Sequence, residues 1–205
     1  MGRQKRTWQK ENFYHIVCRG NRRDPLFKDK GDFLTFLYIL QKVYEKIPFE
    51  LASYCLMNNH YHLQLRSTKE PIWKVMSLVN KRYANYYNTK YRLTGHVFEK
   101  RYFSKVISSQ EGMIEVSCYI HLNPIEAKMV EKPEEYPWSS YSYYKSIRLC
   151  PYVYLHREII LDLFSGSPME KSAKYCEEVM ARIDREFEVE VLGWSDWTGA
   201  GTVSI

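Results

Sequence analysis

The sequence turns on Asn58-Asn59-His60-Tyr61-His62-Leu63-Gln64-Leu65-Arg66. It alternates without a break. His60, His62, Gln64 and Arg66 point one way, and Tyr61, Leu63 and Leu65 point the other. That period of two predicts a β-strand with one apolar face and one wet face. Two imidazoles then stand side by side on the wet face. Neutral imidazole is a common ligand of divalent metals, although two histidines on one strand also arise by chance.

On either side of this stretch the chain alternates between strand and helix patterns. Phe13 to Arg19 alternates as a first strand and ends at Gly20-Asn21-Arg22-Arg23. Glycine and asparagine tolerate turn backbone, and the two guanidiniums beside them suit phosphate or guanine edges. Phe33, Phe36, Leu37, Leu40, Val43, Tyr44 and Ile47 recur at helical spacing, with Asp32 as the expected cap and Pro48 as the stop. Glu50 to Leu56 reads as the second strand, and the His strand is the third. Pro71 opens another helix with Ile72, Val75, Met76, Val79, Tyr83 and Tyr86 on its apolar stripe. Thr94-Gly95 breaks it, and Val97 to Ile107 reads as a fourth strand carrying Lys100, Arg101 and Lys105. The order β-α-β-β-α-β is the ferredoxin-like pattern, an α+β fold with an antiparallel sheet.

A further helix is expected from Ser108 and Glu111, which have capping-box spacing, to Pro124. The residue before a proline is pushed out of helical geometry, so Asn123 falls at the helix end. Tyr119 lies four residues earlier on the same face. Asparagine offers a carbonyl ligand, and tyrosine offers a nucleophile able to form a covalent intermediate. A packed tyrosine followed by a capping asparagine would show the same spacing.

Bulk properties frame these motifs. The 205 residues make one good-sized domain, or one domain with an appendage. We expect a basic arm over 1–12, a catalytic domain over 13–145 and a helical extension over 146–205, with Leu155 to Phe164 and Lys171 to Phe187 helical. Net charge is +6 and uneven. Residues 1–28 hold eight Lys/Arg against two Asp/Glu, whereas residues 157–190 hold five against nine. The basic front fits a polyanionic partner, and the 18 tyrosines fit base stacking as well as packing. Five cysteines without a C-x-x-C pair read as free buried thiols. No apolar run reaches membrane-spanning length, so a cytoplasmic protein with no membrane partner is expected.

On these residues the chain resembles a known family. His60-Tyr61-His62 is similar to the HUH motif, in which a hydrophobic residue separates two metal-binding histidines. Tyr119 followed by Asn123 resembles the catalytic tyrosine and third metal ligand of the single-tyrosine, IS200-like HUH transposases. The nearest resemblance is to the REP-associated tyrosine transposases. It extends to Tyr14-His15-Ile16-Val17-Cys18-Arg19-Gly20-Asn21-Arg22-Arg23, to Gly95-His96-Val97-Phe98-Glu99-Lys100-Arg101-Tyr102, to Tyr119-Ile120-His121-Leu122-Asn123-Pro124 and to Trp138-Ser139-Ser140-Tyr141. It covers roughly residues 10–145. Glu126 and Lys128 stand where the family often has arginine and glycine, which touches DNA contacts after the catalytic helix.

The resemblance implies metal-dependent cleavage and rejoining of single-stranded DNA beside a folded hairpin, by a monomer or homodimer. Tyr119 would be the nucleophile and would carry a 5′-phosphotyrosine. His60, His62 and Asn123 would hold a divalent ion, Mg²⁺ or Mn²⁺, with Zn²⁺ also compatible with imidazole. Gln64 would be a candidate outer-sphere group. DNA would meet Arg3, Lys5, Arg6, Arg19, Asn21, Arg22, Arg23, Lys100 and Arg101. Two alternatives stay open: a domesticated hairpin-binding module that no longer cuts, and a hydrolase that uses metal-bound water.

Overall fold

The sheet is built from strands β1 (Phe13–Arg19), β2 (Glu50–Met57), β3 (His60–Arg66) and β4 (Phe103–Ile107). They pair in the order β2-β3-β1-β4, and every pair is antiparallel. The structure, a computed structural model, describes residues 8–146 and 150–183. The expected arm at Arg3, Lys5 and Arg6 and the end of the last expected helix lie outside those residues.

Helices α1 (Lys30–Tyr44) and α2 (Ile72–Tyr91) cover one face. Ile16, Tyr61, Leu63 and Leu65 project onto that side and pack with Phe36, Val75, Val79 and Tyr83. This completes β-α-β-β-α-β, the ferredoxin-like α+β arrangement that the alternation predicts. The cap of α1 is Asp29 rather than Asp32. Asp29 accepts from the Asp32 backbone, and Asp32 is the inner member of the capping box. The Asp32 carboxylate is buried and accepts bonds from Tyr86, Lys90 and Tyr91, tying α1 to α2.

The other face is not wet. Helix α3 (Gln110–Glu126) lies across it, with α4 (Tyr141–Lys145), α5 (Glu158–Leu161) and α6 (Pro168–Met180) outside. His15, His62 and Gln64 are fully buried there. Strand periodicity distinguishes two faces but not whether a segment fifty residues later covers the polar one.

Other boundaries move for local reasons. The cap of α3 is Ser109, which accepts from the Gly112 backbone, not Ser108. The helix also continues past Pro124 to Glu126, so Asn123 is inside it. Proline removes one intrahelical bond. Here the ring is buried, and Ala127 and Met129 still donate to the Asn123 and Pro124 carbonyls. The fourth strand starts only at Phe103. Residues 97–99 pair instead with the turn after β1: Asn21 donates to the Val97 carbonyl and Glu99 to the Arg19 carbonyl.

The chain after α3 closes the outer edge of β2. Leu56 donates to Trp138, Ser140 to Tyr54, Leu51 to Tyr154 and His156 to Leu51. An edge strand with open N–H and C=O groups invites pairing with other chains, and these segments occupy it. Tyr175 of α6 docks on α3, bonded to Ser117 at 2.7 Å and to His121 Nδ1 at 2.6 Å. All five cysteines are free; Cys18, Cys55 and Cys118 are buried, while Cys150 and Cys176 are half-buried. Among the described residues no helix is long and apolar enough to cross a membrane.

Candidate active site

Between β3 and α3 the fold gathers His60, His62, Tyr119 and Asn123. His60 opens β3 opposite Arg19, and His62 faces Val17 and Cys55 in the register. Their rings are 4.9 Å apart between centroids. Tyr119 sets its ring edge against His62 at 5.6 Å and against His15 at 5.8 Å. Asn123, one helical turn on, is 7% exposed. Its Nδ2 donates to the Tyr119 carbonyl at 2.9 Å. The same side chain influences both imidazoles and the Tyr119 phenol. With Nδ2 donating to the backbone, the amide oxygen is the atom that remains to serve as a ligand.

Burial governs the protonation states. It lowers His60 to about 4, helped by the Arg19 guanidinium and opposed by Asn123. It holds His62 well below its ordinary value, with His60 and His15 adding to the effect. His15 is lowered to about 3 by burial and by Lys105. All three rings are therefore neutral near pH 7, the form that binds a metal. Burial pushes the Tyr119 phenol up, and Glu126 adds to this against the Asn123 bond. Tyr119 is 8% exposed, so as seated it is a protonated phenol.

Two further residues shape the site that strand alternation did not single out. Asn59 Oδ1 lies 2.7 Å from His60 Nδ1. An amide oxygen only accepts, so His60 Nδ1 carries the proton and Nε2 keeps its lone pair. The turn reading of Asn58-Asn59 gave it no such task. His15 Nε2 lies 3.1 Å from His62 Nδ1, with the rings stacked at 5.4 Å. Only strand register reveals that contact, because 47 residues separate the two. Gln64, expected as an outer-sphere group, is engaged elsewhere: it accepts from Ser53 and donates to the Met113 carbonyl.

The donor set fits a divalent ion. Two neutral imidazoles and one amide oxygen converge, and one imidazole already presents its Nε2 lone pair. Among the described residues no group of three or more His, Cys, Asp or Glu forms a metal cluster, so an asparagine would have to complete the set.

The arginine turn has a different character from the one its glycine implied. Gly20 has an ordinary φ of −60°, whereas Arg22 and Arg23 sit at +54° and +65°. Gly20 is needed because a Cβ there would stand 2.1 Å from the Asp24 carbonyl oxygen. Two consecutive left-handed arginines are strained backbone of the kind concentrated at functional sites. Both side chains are exposed, as are Lys100 and Arg101. Arg19 pairs with Glu99 at 2.8 Å, next to His60, and Asn21 is half-buried.

The chain is similar to known proteins. A solved structure described as a REP-associated tyrosine transposase bound to a REP hairpin is similar over 82% of this chain and 93% of that one. Its TM-score is 0.63 and its identity 16%, a likeness in fold. A candidate transposase from Deinococcus radiodurans R1 matches 58% of this chain and 94% of its own, with a TM-score of 0.41 and 16% identity. No curated protein matches the chain. The family described as Transposase IS200 like matches residues 9–123, which spans all four strands and the His60, His62, Tyr119 and Asn123 cluster. The chain belongs to the IS200-like transposase family.

Proposed function

We propose that this transposase-family chain cuts and rejoins single-stranded DNA next to a folded hairpin, with Tyr119 as nucleophile. The observation that carries this is the convergence of His60 and His62 from β3 with Tyr119 and Asn123 from α3 in one buried cluster. His60, His62 and Asn123 would hold a divalent ion, Mg²⁺ or Mn²⁺, which when bound would polarise and orient the scissile phosphate. The Tyr119 oxygen attacks phosphorus, the O–P bond forms, and the P–O3′ bond breaks. The phenol proton ends on the departing 3′ oxygen. The 5′-phosphotyrosine keeps the energy of the phosphodiester, so a second 3′-hydroxyl can reverse the step without ATP.

Arg22 and Arg23, exposed on the strained turn, and Lys100 and Arg101 would meet the DNA, with Arg19 and Asn21 holding the turn beside His60. Arg3, Lys5 and Arg6 would extend the contact. The hairpin in the similar solved structure supports a hairpin partner here. The protein would act in the cytoplasm as a monomer or homodimer.

A second reading, a hairpin-binding module that does not cut, is favoured by the burial of Tyr119, which must be uncovered before a phosphate can reach it. A labelled single-stranded hairpin incubated with protein and Mn²⁺ separates the two. Covalent protein–DNA adduct, absent in Tyr119→Phe, supports cleavage. Tight binding by the wild type with no adduct would make the binding module the better account.

A further inference from the structure

We infer that His15 is a positioning residue for His62: its Nε2 accepts the His62 Nδ1 proton, so that His62 Nε2 presents a lone pair to the metal. The inference rests on the proposed metal site. A neutral imidazole has one N–H and one lone pair. His62 Nδ1 is committed to His15 at 3.1 Å, so Nε2 is the nitrogen left for a ligand role. For Nε2 to ligate, Nδ1 must carry the proton, and the atom facing that proton is His15 Nε2.

The arrangement parallels that of His60, whose Nδ1 proton goes to Asn59 Oδ1. Each histidine of the His-Tyr-His strand thus has its own outer partner, one from the turn and one from β1. The two partners differ in an instructive way. An amide oxygen permits one tautomer of His60. An imidazole can donate or accept, so the His15–His62 bond can run in either direction. When His15 accepts at Nε2, its own proton sits on Nδ1, which is buried without a hydrogen-bond partner. Burying an orphan N–H is unfavourable, and leucine or valine would fill a β1 interior position without it. The opposite direction puts the proton on His62 Nε2, likewise a buried position, so the empty site does not rank the two; a bound metal, which needs the Nε2 lone pair, would select the ligating direction. Two neutral rings hold two protons in either arrangement, so the charge does not change.

His15 is also stacked on His62 and lies against the Tyr119 ring. It fixes ring orientation as well as tautomer, as outer-sphere partners of ligating histidines do.

The test is Mn²⁺ affinity of the DNA-free protein, read by electron paramagnetic resonance of free Mn²⁺, for wild type, His15→Phe, His15→Gln and His62→Ala, with thermal melts alongside. His15→Phe should weaken Mn²⁺ about 10- to 100-fold. His15→Gln, whose carbonyl can accept the same proton, should recover affinity to within a few-fold whatever its melting temperature. A purely structural His15 would instead make affinity track stability across both variants, which would overturn the inference. So would wild-type affinity in His15→Phe when His62→Ala has lost binding; the metal site would then stand without His15. Undiminished binding by His62→Ala would remove the metal site, and this inference with it. If His15→Phe does not fold, ¹⁵N spectra of the Zn²⁺-loaded wild type decide. A proton on His62 Nδ1 with scalar coupling to His15 Nε2 supports the inference, and a proton on His15 Nε2 overturns it.

Discussion

The molecule buries two polar constellations, one between α1 and α2 and the other between the sheet and α3. They are satisfied in different ways. Around Asp32, Tyr86, Lys90, Tyr91 and the Lys28 backbone all donate to one carboxylate. Around His62 the rings of His15 and Tyr119 are packed close, and His15 Nδ1 has no hydrogen-bond partner. A fully satisfied network rigidifies a fold, while a buried group left short of partners costs stability and marks chemistry not yet engaged. The difference teaches that burial alone does not distinguish the two constellations; the shortfall in partners does.

Substitutions should separate the two constellations, the first giving activity loss and the second instability. The largest expected effect is that of Tyr119→Phe. It removes one oxygen from the α3 constellation, so adduct formation and cleavage should fall by a factor on the order of 10⁴ or more, as for loss of a nucleophile. Its melting temperature and hairpin affinity should hold. Residual cleavage near the wild-type rate would make water or another tyrosine the nucleophile.

Asp32→Ala should do the opposite. It strips several donors, Lys90 among them, of their acceptor, and an unfolding loss of about 2–4 kcal/mol is expected. Denaturant titration measures it. Cleavage per folded molecule should not change, and a selective loss of activity would collapse the division between the two regions.

Arg22→Gly probes a third kind of site, strained instead of short of partners. Glycine accepts the φ of +54° freely. Stability should not fall, while specific hairpin affinity should drop by about 1–3 kcal/mol if the guanidinium reads a base. Equal losses on specific and scrambled hairpins would reduce its role to backbone positioning.

The smallest effect concerns acid. Burial pushes the Asp32 carboxyl up, but Lys90, Tyr91, the Lys28 backbone and Tyr86 outweigh it and leave the group below its ordinary 3.8. A lowered carboxyl contributes its stability fully above 3.8, and that contribution is lost as pH falls through the folded value. Wild type should thus lose stability below about pH 4 more steeply than Asp32→Ala. Parallel acid limbs would mean that other carboxylates control the acid response.

Much of this was legible in the sequence, and the misses share a cause. β1 and β3 were bounded to the residue because alternation is a local property of the chain. Tyr119 and Asn123 were paired by a four-residue spacing that any helix converts into a shared face. The wet face failed because covering it is the work of α3, which strand periodicity does not sense. His15 had no visible task because its contact exists only through the β1–β3 register. The sequence pattern points to Asp32 and Ser108 as caps where Asp29 and Ser109 serve, since side-chain oxygens three residues before another polar group are frequent and only backbone geometry selects among them. The local rule makes Pro124 a stop because it omits the packing that overrides it.

The bond between Tyr175 and the Ser117–His121 face of α3 has a consequence in the order of synthesis. A ribosome makes β1, β3 and α3 well before α6, and domains assemble as their parts emerge. Until Tyr175 leaves the exit tunnel, Ser117 and His121 lack the hydroxyl that bonds them both in the finished protein. The helix that carries Tyr119 is therefore seated last on its outer side. A chain that stops short of residue 175 would have both histidines and the tyrosine, yet would lack the hydroxyl that bonds the outer side of α3.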